Sequence, residues 1–223
     1  MIFAAGRGDR LRPLTDRLPK PLLEVGGKPL VVWHLERLAA LGMREVVINV
    51  AHLADRIIDH LGDGSTWNLR IAYSREPEPL ETAGGLAYAR ALLGDEPFLL
   101  LNGDVYCEIE LAPLQELALA PRLAHLVFVP NPAHHPSGDF TLAAGRAGNG
   151  EATRYTYAGL AVVSPRLFEN VERGAKAQLV TLLRAAAERG QLSGELYEGL
   201  WCDVGTSARL AELDALLRSR TGK

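Results

Sequence analysis

Two glycines and a set of cations open the chain in a spacing that suits an anion. The string Ala4-Ala5-Gly6-Arg7-Gly8-Asp9-Arg10-Leu11-Arg12-Pro13-Leu14-Thr15 is followed by Pro19-Lys20-Pro21-Leu22. Glycines let the backbone come close to a ligand, and successive N–H groups in such a turn can converge on phosphate oxygens. Arg7, Arg10 and Arg12 add charge-assisted donors around the same turn. Prolines on both sides of Lys20 stiffen the backbone and remove competing donors. A lysine held stiffly beside a glycine turn suits a triphosphate. Two commoner phosphate loops do not fit. A dinucleotide fingerprint needs a third glycine where Leu11 stands. A Walker loop needs Gly-Lys-Ser/Thr, but Gly27-Lys28 runs into Pro29, and Leu22 occupies the place of its first glycine. Taken alone, the string is also compatible with a tight strand-to-helix turn carrying solvated arginines.

Two aspartates are placed to hold a cation that a polyphosphate would share. Asp104 closes Asn102-Gly103-Asp104 after the apolar run 98–101, and Asp203 lies in Trp201-Cys202-Asp203-Val204-Gly205-Thr206. Ligands of parallel sheets bind at the carboxyl ends of strands. Magnesium favours one or two carboxylates together with phosphate oxygens and waters. Asn-Gly-Asp is also turn-prone, and a carboxylate at 203 could equally cap a helix. Leu80-Glu81-Thr82-Ala83-Gly84-Gly85 opens a helical segment whose small residues allow a flat ring to approach. Asn49, near the end of an apolar strand, is a weaker base-contact candidate. His134 and His135 are adjacent, so on an extended chain they point to opposite faces and do not suit shared metal ligation.

Strand-like and helix-like segments alternate through the first half: strands at 2–5, 45–50, 69–74 and 98–101, and helices at 29–41, 54–61 and 82–93. The alternation predicts a Rossmann-like α/β fold with a mainly parallel central sheet and helices on both faces. The second half is less regular. Strands are expected at 123–129 and 155–163, turns and a hairpin within 130–150, and a helix at 178–189. A short strand at 201–204 then leads to a last helix, 207–220, capped by Ser207. A chain of 223 residues can build one sizeable core. Its 24 basic and 27 acidic residues leave a net charge of −3, with no basic surplus for nucleic acid. Cys107 and Cys202 are too few for a disulfide framework and read as reduced thiols. No apolar run reaches the roughly 18 residues of a membrane span, and the start reads as a strand instead of a signal peptide. A soluble cytoplasmic protein is expected. The opening strand is short enough to predict further residues upstream.

Together the motifs resemble the sugar-nucleotide pyrophosphorylases, a nucleotidyltransferase family. Their signature, Gly-x-Gly-Thr/x-Arg-Leu/Met-x-Pro-Leu-Thr-x-x-x-Pro-Lys-Pro-Leu, is followed from Gly6 to Leu22, with Asp9 where Thr or Ser is frequent. The Asp104 and Asp203 segments resemble the family's magnesium-binding segments. Residues 80–85 resemble its Leu-Gly-Thr-Ala-Gly base-contacting segment, with Glu81 where Gly is common. Gly138-Asp139-Phe140 and Tyr157-Ala158-Gly159 match positions that line the sugar pocket, while the usual Glu-Lys-Pro between them is absent. The resemblance covers nearly the whole chain. Over 80–105, 124–142 and 192–210 it is strongest to members that use UTP in bacterial cell-wall recycling.

What the resemblance implies is a sugar-1-phosphate nucleotidyltransferase that takes UTP and a sugar 1-phosphate. Asp104 and Asp203 would hold Mg²⁺, and Arg10 and Lys20 would be the catalytic cations. Nucleotide contacts would come from Ala4, Ala5, Gly6, Gly8, Arg10, Lys20, Thr82, Gly84, Gly85 and Asn102. Sugar contacts would come from Gly138, Asp139 and Gly159. One domain would span 1–223, with a nucleotide-binding part at roughly 1–105 and a small sugar-binding lobe at roughly 106–223. Neither nucleic acid nor membrane is an expected partner. Three other readings compete: the same chemistry with GTP and mannose 1-phosphate, a non-catalytic nucleotide-sensing subunit, and a dinucleotide-dependent oxidoreductase. The presence of Arg10, Lys20, Asp104 and Asp203 together favours catalysis over sensing, and Leu11 disfavours the oxidoreductase.

Overall fold

The structure is a computed structural model that describes residues 1–221. Its strands are β1 (Ile2–Phe3), β2 (Glu24–Val25), β3 (Lys28–Pro29), β4 (Glu45–Val50), β5 (Arg70–Arg75), β6 (Phe98–Asn102) and β7 (Val105–Cys107), then β8 (Ala124–Val129), β9 (Phe140–Ala143), β10 (Arg146–Gly148), β11 (Arg154–Val163), β12 (Leu192–Leu196) and β13 (Trp201–Asp203). Its α-helices are α1 (Leu30–Ala40), α2 (Ala54–Leu61), α3 (Glu81–Tyr88), α4 (Arg90–Leu93), α5 (Ala112–Gln115), α6 (Leu179–Glu188) and α7 (Ser207–Thr221). The chain forms two compact units. The first comprises Met1–Pro79, Asn102–Cys107 and Trp201–Lys223; the second comprises Leu80–Leu101 and Glu108–Leu200.

In the first unit, β4 pairs in parallel with β1 on one side and β5 on the other, aligning Phe3 with Asn49 and Asn49 with Ser74. β4 reads Glu-Val-Val-Ile-Asn-Val and is buried from Val46 to Val50, as a strand covered on both faces must be. α1 buries Leu30, Val31, His34, Leu35 and Leu38, the 3.6-residue stripe of a core-facing helix. α2 does the same with Ala54, Ile57 and Leu61. Two short antiparallel ribbons complete the unit: β2 with β3, and β7 with β13.

The second unit carries strands in the order β6-β11-β8-β12-β10-β9. β11 runs antiparallel to β6 and β8, β12 runs parallel to β8, and β10 is antiparallel to both β12 and β9. The expected parallel pairing therefore holds in the first unit, and the second is mixed. Its core includes the fully buried Phe128 and Phe140, whose rings lie 6.2 Å apart.

Several details differ from the sequence reading. The helix expected over 82–93 is two helices, α3 and α4, joined at Ala89. The last helix is capped by Thr206, not Ser207: the Arg209 N–H donates to the Thr206 hydroxyl (3.3 Å), and Ser207 is already helical. β2, β3, β7, β12 and α5 have no counterpart in the sequence reading. The hairpin within 130–150 is β9–β10. Among the described residues no helix is long and apolar enough to cross a membrane.

Candidate active site

The glycine loop is held from both ends. Parallel pairing sets Asn49 beside Phe3, so its amide reaches the next residue of the loop stem. The Ala4 N–H donates to Asn49 Oδ1 (2.8 Å), and Asn49 Nδ2 donates to Glu76 Oε1 (2.7 Å). Asn49 and Glu76 are both buried. The base-contact role considered for Asn49 is thereby corrected: its amide is spent on the loop stem. Asn49→Ala removes the side-chain acceptor of the buried Ala4 N–H and one donor to Glu76, and is expected to lower unfolding stability by about 1–3 kcal/mol in a urea titration. Further along, Gly8 has φ +68°, and a Cβ there would stand 2.9 Å from Thr15 Cγ2 and 3.3 Å from Lys20 Cβ. Its carbonyl accepts from the Leu11 N–H (2.8 Å) and the Thr15 hydroxyl (2.9 Å). Only glycine lets the turn close this tightly against the Lys20 stem.

The two aspartates are joined by backbone. β7 and β13 align Asp203 with Val105, and the Val204 N–H donates to the Asp104 carbonyl (2.8 Å). The turn leading to Asp104 is anchored twice: the Gly103 N–H donates to the Phe3 carbonyl (2.9 Å), and His34 Nε2 donates to the Asn102 carbonyl (3.2 Å). His34 is fully buried in α1, and burial, helped by the Arg37 charge, pushes its pKa down to about 4. Each carboxylate meets a cation. Lys20 Nζ donates to Asp104 Oδ2, and Arg209 Nη1 donates to Asp203 Oδ1 (2.5 Å). Two carboxylates tied to one ribbon suit a hard divalent ion that completes its shell with phosphate oxygens and water. Among the described residues no group of three or more His, Cys, Asp or Glu forms a self-sufficient metal cage.

Ala4, Ala5, Gly6, Gly8, Arg10, Lys20, Asn102, Asp104 and Asp203 thus all belong to the first unit; Thr82, Gly84, Gly85, Gly138, Asp139 and Gly159 belong to the second. Thr82 Oγ1 accepts the Leu179 N–H (2.8 Å) at the start of α6, and the Ala83 and Gly84 N–H groups donate to the Ala177 carbonyl. A Cβ at Gly84 would lie 2.3 Å from the Ala175 carbonyl oxygen, so this chain crossing alone requires glycine. Gly85 is buried within α3. Glu81 has φ +65°, the left-handed region that costs a side chain about 1–2 kcal/mol. Glu81→Gly is therefore expected to raise unfolding stability by roughly 0.5–1 kcal/mol after the entropy cost of glycine, measurable by chemical denaturation. Asp139 is braced within its loop: Oδ1 faces His135 Nε2 (3.0 Å), and Oδ2 accepts the Tyr157 N–H (2.8 Å). Gly138 precedes it, and Gly159 lies where the register of β11 against β8 shifts. The Tyr157 hydroxyl is buried, and burial followed by the Asp139 charge raises its pKa.

His34, Glu76 and Arg209 were not singled out from sequence. A histidine on the apolar stripe of α1 and a glutamate directly after β5 carry no motif. Arg209 carries a faint one, standing in the first turn after Gly205-Thr206.

A lysine and an arginine on the glycine loop share the first unit with a ribbon-linked aspartate pair, a set of charges whose chemistry suits a polyphosphate. The nucleotidyl transferase family profile matches residues 1–140, and the chain belongs to that family. Among its relatives, an N-acetylmuramate alpha-1-phosphate uridylyltransferase from Neisseria meningitidis serogroup B is 48% identical over 97% of this chain and 96% of its own length. One of the same name from Caulobacter vibrioides is 34% identical over 95% and 96%. A mannose-1-phosphate guanyltransferase from Yarrowia lipolytica is 32% identical over 92% of this chain, which spans 60% of that relative. The solved structure of a Bacillus anthracis protein assigned as a glucose-1-phosphate thymidylyltransferase, in complex with a sucrose, superposes with a TM-score of 0.85 at 20% identity, covering 97% of this chain and 94% of the other. HddC from Yersinia pseudotuberculosis, complexed with GMP-PN, gives 0.79 at 20% identity over 96% and 97%. The α/β nucleotidyltransferase fold is shared with both.

Proposed function

We propose that this chain transfers a uridylyl group from UTP to N-acetylmuramic acid 1-phosphate, giving UDP-N-acetylmuramic acid and pyrophosphate. The observation that supports the pair most is the near end-to-end likeness, at 48% identity, to the uridylyltransferase of N. meningitidis. In the reaction, an oxygen of the sugar phosphate forms a bond to the α-phosphorus of UTP. The bond from that phosphorus to the oxygen bridging to the β-phosphorus breaks, and its electron pair leaves with pyrophosphate. The nucleophile is already an anion, so no general base is required. Catalysis then reduces to positioning and charge neutralisation.

Lys20 is assigned to the phosphate under attack, and Arg10 to the departing pyrophosphate. Ala4, Ala5, Gly6 and Gly8 supply the close-lying backbone. Asn102, Thr82, Gly84 and Gly85 are assigned to the nucleotide; Gly138, Asp139 and Gly159 are assigned to the sugar. The family generally uses a divalent metal. Asp104 and Asp203 would hold Mg²⁺, which would supply neutralising positive charge to the triphosphate. The reading places the protein in the cytoplasm, in peptidoglycan recycling.

The test is pyrophosphate release over a grid of nucleoside triphosphates and sugar 1-phosphates with Mg²⁺. UTP with N-acetylmuramic acid 1-phosphate is expected to give the highest kcat/KM. A maximum at GTP with mannose 1-phosphate would overturn the pair, and no release from any pair would return the protein to a sensing role.

A further inference from the structure

Arg209 stands in the first turn of α7, its backbone tied to the Thr206 hydroxyl, and its guanidinium grips Asp203 at 2.5 Å. Its side chain is largely buried, 16% exposed. The other end of that guanidinium faces Gly205. A Cβ at 205 would lie 2.1 Å from Arg209 Nη2 and 3.2 Å from Arg10 Nη2. A residue without a side chain thus makes room for two guanidiniums from distant parts of the sequence to approach the same point. Two cations held together repel unless negative charge lies with them. Asp203 supplies negative charge beside Arg209, and it is the same carboxylate assigned to the metal.

A divalent cation held at Asp203 would compete with Arg209 for that carboxylate, one oxygen of which the guanidinium already holds. The guanidinium it displaces has Arg10 as its neighbour. Arginine forks match phosphate oxygens bidentately, so two of them suit a diphosphate better than either alone. We infer that Arg209 is a second arginine for the leaving pyrophosphate, which exchanges Asp203 for the phosphate oxygens when metal takes the carboxylate. The inference rests on the nucleotidyl-transfer reading and its assignment of Asp203 to the metal. It adds a residue to that site and a sequence of events: the metal and the arginine exchange one carboxylate, and metal loading prepares the cation for the product.

The test uses the full chain with Arg209→Gln and Arg209→Lys, with thermal melting to confirm folding. Mn²⁺ affinity is read without nucleotide by electron paramagnetic resonance, and pyrophosphate affinity by calorimetry at saturating Mg²⁺. Arg209→Gln is expected to bind Mn²⁺ about threefold more tightly, because its competitor is gone, and pyrophosphate about tenfold more weakly. Arg209→Lys, which keeps a charge but not the fork, is expected to fall between. Mn²⁺ binding that stays the same or weakens in Arg209→Gln would make Arg209 a brace for Asp203 and overturn the exchange. Unchanged pyrophosphate binding would overturn the anion role. Asp203→Asn run alongside separates the two layers. If it keeps parental Mn²⁺ affinity, the metal assignment beneath the inference fails. If it loses Mn²⁺ while Arg209→Gln changes nothing, only the inference about Arg209 fails.

Discussion

Asp104→Asn is expected to lower kcat for pyrophosphate release by about 10²- to 10³-fold, the range seen when a single preorganised charge stabiliser is removed. The substitution is nearly isosteric. The backbone bonds that shape this turn, Val204 N–H to the Asp104 carbonyl and Gly103 N–H to the Phe3 carbonyl, do not involve the carboxylate. The thermal midpoint should therefore stay near that of the parent. Two functional links are cut at once. An amide is a poor ligand for magnesium, and it no longer ion-pairs with Lys20, whose ammonium donates to Asp104 Oδ2. The loss should be largest at low Mg²⁺ and only partly recovered by adding more, because Asp203 remains. Steady-state turnover measured across Mg²⁺ concentrations checks this. Near-parental turnover at every concentration would remove Asp104 from the metal site.

The second large effect is on stability against acid. His34 is buried against the Asn102 carbonyl, and its pKa falls from 6.5 to about 4. The unfolded chain binds a proton there more readily than the folded one. The stabilisation from keeping His34 neutral is complete above pH 6.5 and is lost progressively as pH falls toward 4. Integrated over that window, it amounts to about 3 kcal/mol. His34→Gln keeps an N–H donor for Asn102 without a titrating group. Urea unfolding at pH 7 and pH 4.5 should show the parent losing about 2–3 kcal/mol more than His34→Gln over that interval. Carboxylates and the other histidines titrate in both proteins and cancel in the difference. An equal loss in the two would mean that His34 is not the acid-sensitive element.

The chemistry was more legible than the architecture, for physical reasons. Gly8 and Lys20 are close in sequence and make a local turn, so their spacing carries the geometry. Strands such as β4 and β8 announce burial through largely apolar runs, interrupted only by Asn49 and His125 inside them, but an apolar run specifies no direction. β8, buried at all six positions, reads the same whether its neighbours run with it or against it. That is why parallel pairing could be anticipated around β4, where helices alternate with strands, and not in the second unit. β12, Leu-Ser-Gly-Glu-Leu, escaped because Ser193 and Gly194 dilute its pattern. Gly194 is required there, since a Cβ would stand 2.5 Å from the Phe128 ring and 2.7 Å from the Leu126 carbonyl oxygen. Within the site, the side chains proposed for phosphate or metal carry recognisable spacing. Those that hold them, Asn49, Glu76 and His34, do not. Their partners are backbone groups or residues far away in sequence, and backbone groups leave no trace in residue type.

The ribbon of β7 and β13 has a consequence for how the protein is made. Asp104 and Asp203 become neighbours only when Trp201–Asp203 pairs with Val105–Cys107, and all of Glu108–Leu200 lies between these segments in the chain. During synthesis the glycine loop, Lys20 and Asp104 leave the ribosome early, whereas the second carboxylate arrives only after the whole intervening unit. A nascent chain therefore has its glycine loop and Asp104 well before Asp203 can join them. Closing a loop of that length is slow compared with local folding. The order of translation thus delays the pairing of the two aspartates until the second unit has been made.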